Sequence, residues 1–156
     1  MNDDILRTEL INLLKTGQAF VPLKKGLSDI KFSIINTRLS PDTHSILEEI
    51  EHMKISQHDI LMYMKDPDWV SPKWPDGYWI KHSSSIDNGR YQKLLDNFFS
   101  DLDKIIELIN NPEVDLCSPI PHAKKHTYLR EVLLVAEHNA YHYGKILDIR
   151  KTLNDW

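Results

Sequence analysis

Histidine is the residue type in this chain whose number and spacing point most directly to chemistry. Eight histidines occur among 156 residues, and two pairs of them are four residues apart: His122 with His126, and His138 with His142. On a helix this spacing places two imidazoles on one face, where they can bind the same divalent metal ion. The element that carries each pair decides whether this chemistry is available.

The first pair is predicted to consist of solvated loop histidines. His122 and His126 lie between Pro121 and the start of a predicted helix, and Lys124 and Lys125 separate them. A loop does not hold side chains four residues apart on one face, and two nearby ammonium groups disfavour a bound cation. We therefore do not expect a metal site at this pair.

The second pair lies in the middle of a predicted helix, residues 127–153. His138 and His142 differ by only about 40° around the helix axis, and both fall within an arc of apolar residues. They are therefore expected to point into the protein interior, where ring nitrogens need polar partners. Hydrogen bonds to carboxylates would satisfy them, and so would a metal ion, so this pair alone leaves both interpretations open.

The elements that must position these histidines are predicted to be helical. Apolar residues recur at helical spacing in four stretches, residues 4–16, 43–64, 87–110 and 127–153. Asp42 or Thr43 is expected to cap the second helix, and residues 32–35 are expected to be irregular or to form a single helical turn. The sequence therefore predicts an all-α, four-helix bundle formed as a single domain over residues 1–156.

A third ligand would strengthen the case for a metal site, because three histidines with an open position form a recurring catalytic arrangement. The second helix offers His44, His52 and His58. His44 is close to the helix start and His58 is expected to face solvent. His52 is central and lies at the edge of the apolar stripe, so it is the best geometric candidate of the three.

Two runs of the sequence resemble the signatures of the DinB/YfiT-like family. Residues 43–52 (THSILEEIEH) are similar to the family's second-helix signature, and residues 136–146 (AEHNAYHYGKI) are similar to its fourth-helix signature. The resemblance implies a bundle with up-down-down-up topology and, in many members, a homodimer. It also implies that His52, His138 and His142 bind one divalent metal ion, with zinc or nickel expected and water completing the coordination shell.

Three neutral imidazoles leave a metal ion its full charge and an exchangeable position, so it can activate a bound water or a thiol at neutral pH. The family includes isomerases and S-transferases that use low-molecular-weight thiols. We therefore expect a metal-dependent transferase or hydrolase that acts on a small molecule, with a thiol cofactor or water as nucleophile. The alternative is a non-catalytic, dimeric helical bundle that binds a metal ion or a small ligand.

Several polar residues are candidates for supporting roles at this site. Glu49, Asp59 and Tyr63 share the His52 side of the second helix and are candidates for orienting the ligands or transferring protons, or they are ordinary surface residues. Lys145 stands where many family members have Gln. Its ammonium group either steadies an anionic substrate group or extends to water.

A segment rich in tryptophan follows the second helix at residues 66–85. It contains three of the four tryptophans, Trp69, Trp74 and Trp79, together with Tyr78. We favour a position over the end of the bundle or in a dimer contact, and the alternative is an apolar lid over the metal pocket.

Composition narrows the functional classes. The net charge is −4, which argues against nucleic-acid binding, because such binding depends on neutralising phosphates. No stretch approaches the roughly 18 apolar residues of a membrane span, and the N-terminus lacks a signal-peptide pattern. Cys117 is the only cysteine, so no intramolecular disulfide forms. We expect a cytoplasmic protein with no nucleic-acid or membrane partner.

Overall fold

The computed structural model describes residues 3–81, 86–123 and 125–156. In these ranges the chain forms five α-helices and no strand, which confirms the all-α prediction. None of the helices in the described ranges is both long and apolar enough to cross a membrane. The helices are α1 (Asp3–Lys15), α2 (Leu23–Leu27), α3 (Ile46–Lys65), α4 (Asn88–Asn110) and α5 (Tyr128–Thr152).

The four long helices form a closed bundle in which α3 and α1 each pack against both α4 and α5. Three contacts give the directions of the helices. Arg7, near the start of α1, binds the carbonyl of Ile109 at the end of α4. Glu51, in the first half of α3, interacts electrostatically with Arg90, near the start of α4. At the end of α3, the ring of Tyr63 approaches His126, just before α5.

These contacts make α1 antiparallel to α4, α3 parallel to α4, and α3 antiparallel to α5. The four long helices therefore run up-down-down-up, as the family resemblance implies. The antiparallel pairing of α3 and α5 is the part that matters for the site, because it places the middle of one helix beside the middle of the other.

The core of the bundle confirms the apolar stripe predicted for α4. Residues at helical spacing along this helix turn one face toward the other three helices. All members of the stripe are buried: Tyr91, Leu94, Leu95, Phe98, Leu102, Ile105, Ile106 and Ile109.

The start of α3 differs from the prediction. Ser45, and neither Asp42 nor Thr43, is the N-cap: its side chain accepts the Glu48 N–H, and the Glu48 carboxylate accepts the Ser45 N–H. The predicted cap was wrong because Thr43 closes the preceding turn, where its hydroxyl accepts the N–H of Ser40. The helix therefore begins at Ile46, one turn before Glu49.

The short helix α2 was not predicted, whereas the helical turn within residues 32–35 is confirmed at Phe32–Ile34. A helix of five residues is not stable by itself, so contacts with α5 must hold it. Gly26 lies so close to Tyr143 that an added Cβ would be 1.6 Å from its hydroxyl, and Arg150 donates a hydrogen bond to the Gly26 carbonyl at 2.8 Å.

Glu48 links the start of α3 to the preceding connector. Its carboxylate forms an ion pair with Arg38, and the residue is only 2% exposed. Burial raises the pKa of Glu48, but hydrogen bonds from Arg38 and Ser45 outweigh that effect and lower the pKa from 4.5 to about 2. The ionised form is therefore the one that stabilises the native state.

We expect Glu48→Gln to destabilise the protein at pH 7 by roughly 1–3 kcal/mol. The pKa of Glu48 is lower in the folded state, so its contribution is complete above pH 4.5 and is lost as the pH falls toward 2. Urea unfolding at pH 7, 4.5 and 3 should show that the difference in unfolding free energy between wild type and variant becomes smaller as the pH falls. Glu113→Gln, at an exposed position, is the matched control and should show a smaller difference at pH 7. A Glu48→Gln effect that does not vary with pH would contradict the assignment.

Candidate metal centre

The three predicted ligands come together between α3 and α5. His52 is on α3, His138 and His142 are on α5, and one ring nitrogen of each lies within 4.8 Å of the other two. The ring centroids are 4.8 Å apart for His52 and His138, and 4.4 Å apart for each of the other two pairs. His52 and His142 are buried, and His138 is partly exposed. This group could hold a metal ion, as the resemblance implies.

A backbone carbonyl fixes the ring of His52. Its Nδ1 lies 2.9 Å from the carbonyl oxygen of Tyr78. A carbonyl can only accept a hydrogen bond, so Nδ1 carries the hydrogen and the lone pair of the neutral ring is on Nε2. That Nε2 faces the Nε2 of His138 at 3.0 Å.

A buried carboxylate fixes the ring of His142 in the same way. Nδ1 of His142 donates to Oε2 of Glu49 at 2.5 Å, which leaves its Nε2 for a ligand. The other oxygen of Glu49 lies 3.4 Å from Nδ1 of His44 and 3.7 Å from Nζ of Lys145. A carboxylate behind a histidine is a common outer partner of a metal ligand, because it orients the ring and makes it more basic.

Burial favours the neutral form of two of the three imidazoles, those of His52 and His138. Burial lowers the pKa of His138 to about 3, with further contributions from His142, His52 and Lys145. Burial also lowers the pKa of His52, and the hydrogen bond to Tyr78 only partly opposes it. Both rings are therefore neutral at pH 7, which is the state in which histidine binds a metal ion.

The donor set fits a divalent ion. A tetrahedral zinc ion with Zn–N bonds of about 2.0–2.1 Å requires ligand nitrogens about 3.3 Å apart, a few tenths of an ångström more than the distance between His52 and His138. The lone pair of His52 Nε2 needs a hydrogen or a cation in front of it. Three protein ligands would leave a fourth position open.

The tryptophan segment contacts this group, although residues 82–85 of the predicted segment lie outside the described residues. The ring of Trp79 stacks on His52 with centroids 3.9 Å apart and planes 3° from parallel. The other face of Trp79 stacks on His44, also at 3.9 Å. The described contacts place Trp79 against the histidine group, which is the alternative that the sequence favoured less.

The three candidates for supporting roles occupy different places. Glu49 binds His142 directly, as described above. Asp59 accepts hydrogen bonds from two residues of the tryptophan segment, Trp69 and Tyr78. Tyr63 lies at the far end of α3, where its backbone carbonyl contacts His122. Proton transfer by any of the three stays a prediction.

The first histidine pair does not join the group. His122 is exposed and contacts the Tyr63 carbonyl at 2.8 Å, and His126 lies 3.1 Å from Glu131 just before α5. Sequence reasoning missed the Tyr78 carbonyl and the stacking of Trp79. The only signal for either was the concentration of tryptophan after α3.

The fold and the site define a class of protein: an all-α bundle with a three-histidine candidate metal centre between two of its helices. A model of the DinB superfamily matches residues 12–146, and the chain belongs to that superfamily. This match confirms the family resemblance seen in the two histidine-bearing runs. Searches of curated proteins and of solved structures gave no match.

We expect Glu49→Gln to weaken the binding of zinc or nickel by roughly 10- to 100-fold, the usual effect of losing an outer partner of a metal ligand. The substitution keeps the shape of the side chain but removes the charge that holds the Nδ1–H of His142. Competition with a chromophoric chelator measures the affinity. Glu51→Gln, on the same helix but beside Lys54 and Arg90, is the matched control. Equal affinities for the two variants would contradict a role for Glu49.

Proposed function

We propose that this member of the DinB superfamily is a metal-dependent enzyme in which a metal-bound thiol or water is the nucleophile. The observation that carries the proposal is the convergence of three imidazoles, two of which have their Nδ1 hydrogens engaged by other groups. Such an arrangement presents lone pairs toward one point. The reaction would be transfer of a small thiol to an electrophile, or hydrolysis.

The metal, when bound, supplies a Lewis acid that lowers the pKa of a water or thiol in its open position. The chain itself supplies the surroundings. The ion would be held by His52, His138 and His142. The rings of His52 and His142 are oriented by the Tyr78 carbonyl and by Glu49, respectively. We propose zinc or nickel as the ion, because imidazole nitrogens suit both.

The nucleophilic thiol would come from a separate low-molecular-weight compound. Cys117 is exposed and lies in the connection between α4 and α5, and it is not a member of the histidine group. The partly exposed side chain of Lys145 places a positive charge beside Glu49, where it favours a small substrate with an anionic group. The homodimer implied by the family stays a prediction.

One observation favours a non-catalytic bundle as the second candidate. His52 and His142 are only 2% and 5% exposed, as expected of ligands in a closed structural site. The two candidates differ in what removal of the metal does to the fold, because a structural ion contributes directly to folding.

We expect removal of the metal by a chelator to leave the protein folded, with an unchanged helical signal and a lower melting temperature. The fold should persist because the large apolar core does not include the histidines. The melting temperature should fall because a bound ligand stabilises the folded state by an amount set by the ratio of its free concentration to its Kd. Circular dichroism of the untagged protein with and without chelator is the measurement. Global unfolding at 25 °C on chelation would support a structural metal instead.

We expect the metal-loaded protein to accelerate the reaction of a panel of small thiols with monochlorobimane, and His138→Ala to lose that acceleration. The variant removes the most exposed ligand and leaves the buried pair in place. His122→Ala, which alters an exposed histidine outside the group, is the control and should keep full activity. If no thiol shows a metal-dependent rate, and ester substrates show no hydrolysis, the enzymatic proposal is wrong.

A further inference from the structure

Asp59 lies seven residues after His52 on α3. Seven residues are about two helical turns, so the two side chains are on the same side of the helix and about 10 Å apart along its axis. Both oxygens of the Asp59 carboxylate accept hydrogen bonds from the tryptophan segment. Trp69 Nε1 donates to one at 2.7 Å, and the Tyr78 hydroxyl donates to the other at 2.6 Å.

Tyr78 connects Asp59 to the metal centre. Its hydroxyl is bound to Asp59, while its backbone carbonyl accepts the Nδ1–H of His52 at 2.9 Å. The next residue, Trp79, lies flat on the His52 ring. The segment therefore contacts His52 at both its edge and its face, and Asp59 holds the residue that makes the edge contact.

The two hydrogen bonds to Asp59 are short, at 2.7 and 2.6 Å. Hydrogen bonds to an ionised carboxylate are shorter and stronger than those between neutral groups. Between Trp69 and Tyr78 the segment is largely exposed, with Val70 at 84% and Trp74 at 68%.

We propose that Asp59 is a positioning residue that holds the tryptophan segment against His52 and thereby fixes the ring and tautomer of that ligand. This inference rests on the proposed metal site and assigns a role to Asp59 other than proton transfer. Both carboxylate oxygens already face donors from the segment, so the group is directed toward Trp69 and Tyr78 and acts on the metal through them.

The test compares Asp59→Ala, Tyr78→Phe and Trp69→Phe with the wild type. Tyr78→Phe and Trp69→Phe each remove one bond to Asp59 but keep an aromatic ring, and Tyr78→Phe leaves the backbone carbonyl that contacts His52 in place. We expect Asp59→Ala to weaken zinc and nickel binding about 10-fold or more, in the range typical for outer partners of metal ligands, and each aromatic variant to weaken it less. Tyr78→Phe should add little in the Asp59→Ala background, because both changes break the same contact.

A second measurement needs no metal. Nitrogen-15 NMR of the metal-free protein reports which ring nitrogen of His52 carries the hydrogen, with the signals assigned by their loss in His52→Gln. The wild type should show the Nδ1–H tautomer, and Asp59→Ala should show a mixture. A loss of general stability does not by itself change the tautomer, so this readout separates positioning from a merely structural role.

Asp76→Ala, at an exposed position in the same segment, is the matched control and should leave the affinity and the tautomer unchanged. If Asp59→Ala fails to fold, the two aromatic variants decide the question. The proposal is overturned if affinity and tautomer are unchanged in the folded variants, or if only a reaction rate falls. If the wild type binds neither metal, the proposed function fails, while the tautomer comparison still decides the role of Asp59.

Discussion

The candidate site depends on two hydrogen bonds that take the Nδ1 hydrogens of His52 and His142. The acceptors are the carbonyl of Tyr78 and the carboxylate of Glu49. Without them each buried ring could adopt either tautomer, and the nitrogens that face one another could carry hydrogens in place of lone pairs. With them, both Nε2 atoms are presented to the space beside His138. The acceptors come from different parts of the fold, so the site is assembled only when α3, α5 and the tryptophan segment are in place.

Burying Glu49 beside two imidazoles is costly unless its charge is balanced. Lys145, on α5, supplies a positive charge 3.7 Å from the second oxygen of Glu49, and the ring of His44, just before α3, lies 3.4 Å from the same oxygen. The capping box at Ser45 fixes where α3 begins, one turn before Glu49, and the antiparallel packing of α5 then brings His142 opposite. The position of Glu49 therefore depends on where α3 begins, because a shifted start would move the carboxylate away from His142.

Periodicity and spacing were sufficient to predict the four long helices, the buried stripe on α4 and the inward direction of His138 and His142. They also made His52 the best geometric candidate for a third ligand, and the family resemblance supported that choice. What they could not supply were contacts that depend on loop conformation. The Tyr78 carbonyl has no side-chain signature, and the partners of Asp59 are 10 and 19 residues away along a connection that contains three prolines. The short helix α2 was missed for the same reason, because Tyr143 and Arg150 hold it from the far end of the chain.

The three candidate ligands are not equivalent, and their differences suit the proposed site with an exchangeable position. His52 and His142 are buried and are each held by an acceptor at Nδ1, whereas His138 is partly exposed. Trp79 covers the His52 side of the group, so a small molecule would approach from the His138 side. Two ligands held by hydrogen bonds and a third that is partly exposed would keep an ion in place while its remaining position exchanges. A structural site does not need a partly exposed ligand, so the exposure of His138 supports the proposed catalytic role over a structural one.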